Sequence, residues 1–270
     1  VVGAYSVYAD GWEFALQTYA IALVIAILAS QWLFSKASSY EVGSRVRDRE
    51  AFAAVALGWP PVVLLGAIPF WLGGMFYGPF EFMANEATFF EILSGALHAW
   101  FESMSGFTTT GASVIDQSTS PVCSGEFDGD CVGSQKRSLL LWRSLSQWIG
   151  GMGIIVLAVA ILPFLGIGGM QLFVAEAPGV SIDKLQPRIK ETAMRLWQIY
   201  ISFTIVLFFI LWAEGMNSFE AVNHAMTTFA TGGFSTKNAS IGYFESPLIQ
   251  YLSLIHISEP TGRTPISYAV

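Results

Sequence analysis

Charge is scarce in this chain. Of its 270 residues 12% are Asp, Glu, Lys or Arg and 53% are hydrophobic, whereas an average soluble domain carries about 25% charged residues. That balance excludes an ordinary water-soluble globule and places the chain among polytopic membrane proteins. The formal net charge of −7 comes largely from loops, and no basic patch interleaved with aromatics is present, which argues against a nucleic-acid partner. Three histidines, scattered, offer no metal-ligand spacing. Ser105 followed by Gly106 is not a nucleophile elbow, and no Ser/His/Asp set is readable, so the chain is not read as an enzyme and needs no cofactor. The two cysteines, Cys123 and Cys131, lie in a polar acidic segment. They permit a disulfide in an oxidising compartment and would otherwise stay free thiols. An initiator Met and a basic leader are also lacking at "VVGAYSVYADGWEF", so the expectation is a start inside a longer protein and not a signal peptide.

Long apolar runs are plentiful. A bilayer core of roughly 30 Å takes about 20 helical residues, and residues 14–34, 51–77, 139–167 and 196–213 satisfy this, with Arg143 their only charge. Pro60, Pro61 and Pro69 in the second run are tolerable in a membrane helix, where neighbours re-satisfy freed carbonyls. Lys36, Arg45, Arg47 and Arg49 gather in one connection, and Lys184, Arg188, Lys190 and Arg195 in another. Both should therefore face the cytoplasm. The connection from 114 to 135 holds Asp116, Glu126, Asp128 and Asp130 and reads as external; "EFDGDC" within it lacks the ligand set of a calcium loop. The chain is then already outside at residue 77 and still outside at 116. The moderately apolar stretch 89–107, with Glu91, His98 and Glu102, cannot cross and is expected to enter the membrane and return.

That stretch runs into "SGFTTTGASV", and a second short amphipathic stretch at 219–229 runs into "ATGGFST". Matching the aromatic residue and the serine pairs Phe107, Gly111 and Ser113 with Phe229, Gly233 and Ser235. The layout of span, short helix, Thr/Gly strand and span is written twice, the mark of a pseudo-symmetric transport protein. Irregular backbone at membrane depth costs several kcal/mol for each unpaired peptide group unless it lines a wet path. Inward-pointing carbonyls convert that cost into a cation site. Gly111 and Gly233 free the backbone to turn them, and the short helices aim partly negative C-terminal ends at the same place.

These stretches, together with "FFEILSGALHAWFESMSGFTTTGAS", "WRSLSQWIGGMGIIVLAVAILPFLGIGGMQLFVAEAPG", "QPRIKETAMRLWQIY" and "TTFATGGFSTKNASIGYFESP", closely resemble the TrkH branch of the TrkH/KtrB/HKT superfamily of potassium transporters. The resemblance covers nearly everything from residue 14 to 251. It implies an all-α polytopic fold of membrane–pore–membrane repeats, four per subunit, with re-entrant pore helices and extended filter strands. On that reading residues 1–50 hold a leading helix and cytoplasmic loop, 51–192 the first repeat and 193–251 a truncated second one. The ion-facing backbone carried over by motif is Thr108, Thr109, Thr110 and Gly111 with Ala230, Thr231, Gly232 and Gly233, potassium lying at Thr109, Thr110, Thr231 and Gly232. Relatives with serine at a filter-glycine position tend toward sodium, and both positions here are glycine. The family further implies channel-like potassium uptake across a bacterial inner membrane by a homodimer. A cytosolic nucleotide-binding subunit would gate it, with the connection 168–192 as its contact. A secondary transporter of another cation or small solute, built on broken helices, is the alternative reading.

Residues 252–270 depart from the family. "LSLIHISEPTGRTPISYAV" resembles translated sequencing-adapter text and is set aside as a scar. Arg143 in a span has three readings: a tie to a carboxylate or pore-helix carbonyl such as Glu102, snorkelling to the outer interface, or tuning of ions. Glu102 either concentrates cations or anchors its helix by hydrogen bonds, the plainer reading. Buried polar packing is expected for His98 and His224. The glycines of "WIGGMG" lack the lysine and setting of a phosphate loop and are read as small residues permitting close helix approach.

Overall fold

The computed structural model describes residues 1–37, 48–80, 88–124, 128–161 and 185–257, and among them the chain is helical with no strand. A short helix α1 (Val2–Ala9) leads into a long one made of α2 (Trp12–Ala15), a π turn (Leu16–Ala20) and α3 (Ile21–Ala37). The chain continues through α4 (Asp48–Leu72), α5 (Phe89–Phe107), α6 (Arg137–Ile161), α7 (Leu185–Ala213), α8 (Ser218–Phe229) and α9 (Pro247–Ile257). Trp12–Lys36 and Glu191–Ala213 are long and apolar enough to cross a bilayer, and Ala56–Leu72 is a shorter apolar helix. Side chains such as Leu23, Leu28, Phe203 and Phe209 stay exposed on these helices, as lipid-facing residues do.

Three boundaries differ from the sequence reading. The run 51–77 stops being helical at Leu72, because Gly74 turns the chain at φ +78°. α7 is already helical at Leu185, well before residue 196, and α9 carries the helix through Leu252 to Ile257, into the segment read from sequence as a scar. The expected filter strands are not regular strands: the chain after α5 and α8 turns at left-handed residues. Pro60, Pro61 and Pro69 lie inside α4 without ending it. Arg45, Arg47, Glu126, Lys184, most of the expected regulator contact and the last thirteen residues, 258–270, fall outside the described residues.

Both short helices start on side-chain caps. Thr88 and Glu91 form a reciprocal capping box, the Glu91 carboxylate accepting the Thr88 N–H at 2.6 Å. Asn217 accepts the Glu220 N–H at 2.9 Å. Each cap contributes about 1 kcal/mol, enough to set where a short helix begins. α4 packs along α5 and α7 along α8, and α6 lies between the two pairs and touches both short helices. One core joins Phe70, Phe76 and Ala99 to Leu139 and Leu140 of α6, and a second joins Leu207 and Leu211 to Ala225 and Ile249.

The connection after α5 folds down on the connection after α8. Cys123 and Cys131, both buried, are bonded to each other. The Asp130 carboxylate accepts the Asn238 N–H at 2.9 Å, and the Asn238 side-chain oxygen accepts the Val132 N–H at 3.0 Å. In the same loop Asp116 accepts the Ser118 hydroxyl and the N–H groups of Ser118 and Thr119. These bonds, the Ser118 hydroxyl foremost, hold its carboxyl below the ordinary aspartate range. A loop-closing disulfide contributes about 2–4 kcal/mol. Reducing it, or introducing Cys123→Ser, is expected to lower the thermal midpoint and to speed amide exchange at Val132 and Asn238; unchanged exchange would mean that the bridge does not hold this clamp.

Candidate functional site

The two Thr/Gly segments are built alike. α5 ends with Thr109 N–H donating to the Gly106 carbonyl and Thr110 N–H to the Ser105 carbonyl, each at 2.9 Å. α8 ends with Thr231 N–H donating to Thr228 and Gly232 N–H to Thr227, at 2.9 and 3.0 Å. Both are Schellman endings, which need a left-handed residue after the cap. That residue is Thr109 in one and Thr231 in the other, each at φ +53°. A β-branched residue is disfavoured there by about 1–2 kcal/mol, so the flanking helix ends must impose it. Two positions on, Gly111 and Gly233 are left-handed again, at +72° and +82°. The match recurs at a constant offset of 122 positions, the pairing that Phe107/Phe229 and Ser113/Ser235 predict.

The segments also meet. A Cβ on Gly111 would collide with the carbonyl oxygen of Gly232, so glycine at 111 is required by the approach as well as by φ. The Schellman bonds occupy the carbonyls of Ser105 and Gly106 in one segment and of Thr227 and Thr228 in the other. Among the described residues no backbone N–H donates to the carbonyls of Thr108, Thr109, Thr110 and Gly111, or of Ala230, Thr231, Gly232 and Gly233. The Thr108 hydroxyl turns back to the Met104 carbonyl at 2.7 Å and lies 2.8 Å from the Thr110 hydroxyl. Carbonyls without backbone partners at two adjoining helix C-termini carry partial negative charge without a titrating group. It suits a monovalent cation. Among the described residues no group of three His, Cys, Asp or Glu side chains stands ready for a metal ion.

One stripe of α6 braces both segments. Arg143 is 3% exposed; its Nε donates to Glu102 Oε1 at 2.5 Å and its Nη1 to the Ser235 carbonyl at 2.8 Å, and the guanidinium lies 3.6 Å over the Phe234 ring. Glu102, wholly buried, also accepts the Ser113 hydroxyl and the Val114 N–H. One turn on, Gln147 Oε1 accepts the Phe234 N–H at 3.2 Å. A further turn on, Gly150 admits the Phe107 carbonyl and Gly151 the Ala230 backbone. Positions 143, 147 and 150–151 share one helical face, and the close approach expected of "WIGGMG" is made to the ends of the short helices. His224 stands 122 positions after Glu102 and 3.4 Å from the Ser235 and Thr236 hydroxyls, the second-repeat counterpart of the Glu102–Ser113 bond. His98 packs on Phe76.

Sequence reasoning missed Gln147 and the strain at Thr109 and Thr231. For Gln147 a signal existed, its i+4 spacing from Arg143. For the threonines none did, since local preference points away from φ > 0.

Residues 78–258 match the family model described as TrkH, cation transport protein. The chain is 41% identical over 255 residues to the Trk system potassium uptake protein TrkH of Escherichia coli K12, covering 93% of this chain and 45% of that protein. It is 35% identical over 244 residues to TrkG of the same organism, covering 89% of this chain and 43% of that one. The crystal structure of the potassium transporter TrkH from Vibrio parahaemolyticus superposes with a TM-score of 0.61 at 32% identity, covering 95% of this chain and 46% of that chain. The chain thus spans about half the length of the relatives it matches. It belongs to the TrkH family of cation transport proteins.

Proposed function

We propose that this chain forms half of the ion path of a potassium-uptake protein. α5 and α8 enter the bilayer from outside and return as the Thr/Gly segments. At 12 residues, about 18 Å at 1.5 Å each, α8 is too short to cross a core of about 30 Å. Potassium sheds water against the carbonyls of Thr109, Thr110, Thr231 and Gly232, with Thr108, Gly111, Ala230 and Gly233 completing the lining. Inward movement is driven by the membrane potential at about 2.3 kcal/mol per charge per 100 mV. The observation that carries this reading is the repeated left-handed Thr-x-Gly backbone of two segments that touch at Gly111 and Gly232. Assembly as a homodimer in a bacterial inner membrane, gated by a cytosolic nucleotide-binding subunit, extends the proposal through the family.

The test is rubidium uptake into proteoliposomes holding residues 1–251 continued in frame by the remainder of the Escherichia coli TrkH relative. Uptake driven by an inside-negative potential, with sodium a poor competitor, is expected. Uptake no faster than into empty vesicles, or sodium carried as well as rubidium, overturns the reading.

A further inference from the structure

Gln147 is fully buried, yet only half of its carboxamide is engaged among the described residues: Oε1 holds the Phe234 N–H, and Nε2 has no partner there. A buried unpaired amide hydrogen is costly and persists only where something fixes the side chain in place. The seat is Gly232, on which a Cβ would fall on the Gln147 amide carbon. Gly232, unlike Gly233, is not in the left-handed region. Its lack of a side chain therefore answers to Gln147 and not to backbone conformation. The first segment is braced differently: Thr110, the counterpart of Gly232, has its hydroxyl 2.8 Å from that of Thr108.

We infer that Gln147 is a positioning residue for the ion path, setting the depth of the Gly232 carbonyl from behind through its contact with Gly232 and its bond to Phe234, and so tuning which alkali cation is accepted. The inference rests on the potassium reading. Carbonyl sites discriminate cations by the placement and number of their oxygens, so a brace that moves one oxygen alters selectivity before it alters folding. Gln147 lines no path itself and acts only through the second segment.

The experiment uses the same reconstituted transporter and compares rubidium and sodium uptake per folded protein, with folded protein counted by size exclusion and by thermal midpoint. Gln147→Leu and Gln147→Met are two apolar replacements of like reach, of which one well-folded variant suffices. Either is expected to lower the rubidium-to-sodium ratio about tenfold, the scale of one lost buried hydrogen bond. If the apolar variants reduce folded protein or total uptake but leave the ratio unchanged, Gln147 is merely structural and the inference is overturned. A parent protein without rubidium preference overturns instead the potassium reading on which it rests.

Discussion

Gly111→Ala is expected to reduce rubidium uptake about a hundredfold, and Gly233→Ala tenfold or less. Both glycines are left-handed, so both alanines carry the conformational cost of about 1–2 kcal/mol. Only at 111 does the new methyl also strike backbone, the Gly232 carbonyl; at 233 nothing among the described residues lies within 4 Å. Overpacking against a fixed neighbour adds about 1–3 kcal/mol, and every 1.4 kcal/mol is about a factor of ten. The measurement is initial rubidium uptake per folded protein for the two variants side by side. Equal losses would show that the two segments do not press on each other, which removes the shared constriction.

Arg143→Met alone is expected to destabilise the protein by about 3–5 kcal/mol, the usual cost of leaving a buried partner charge uncompensated. Glu102 has no exposed surface, and Arg143 is its only cationic partner among the described residues. Removing both charges together, as Glu102→Gln with Arg143→Met, should cost less than the sum of the single changes, with a coupling of about 1–3 kcal/mol. It should not restore full stability, because the Ser235 carbonyl and the Phe234 ring still lose the guanidinium. Denaturant or thermal midpoints of the four proteins in detergent decide this. Additive losses would make the pair two independent anchors.

Much of the plan was legible in the sequence, for a simple reason. Apolar runs and caps act locally, so α5 comes out over the very residues 89–107 that apolar content and charge parity delimit, and Pro60, Pro61 and Pro69 sit in a helix as a membrane setting permits. The repeat was legible because it recurs at one offset. Arg143 was not: three readings stood open, since a side chain's partner on another element has no local signature. Gln147 looked like one more polar residue on a helix, and Thr109 and Thr231 looked like ordinary threonines although their backbones are left-handed.

The sequence by itself therefore determined the class of solvent, the existence of the long apolar helices and the two short ones, the twofold layout and the family. Each of these depends on composition or on spacing along one element. Tertiary structure alone decided that Gly111 faces Gly232, that one stripe of α6 holds both segments, and that Cys123 and Cys131 close a loop clamped to Asn238. Those contacts join residues that packing brings together, from about ten to more than a hundred positions apart, and their energies exist only once the helices are in place.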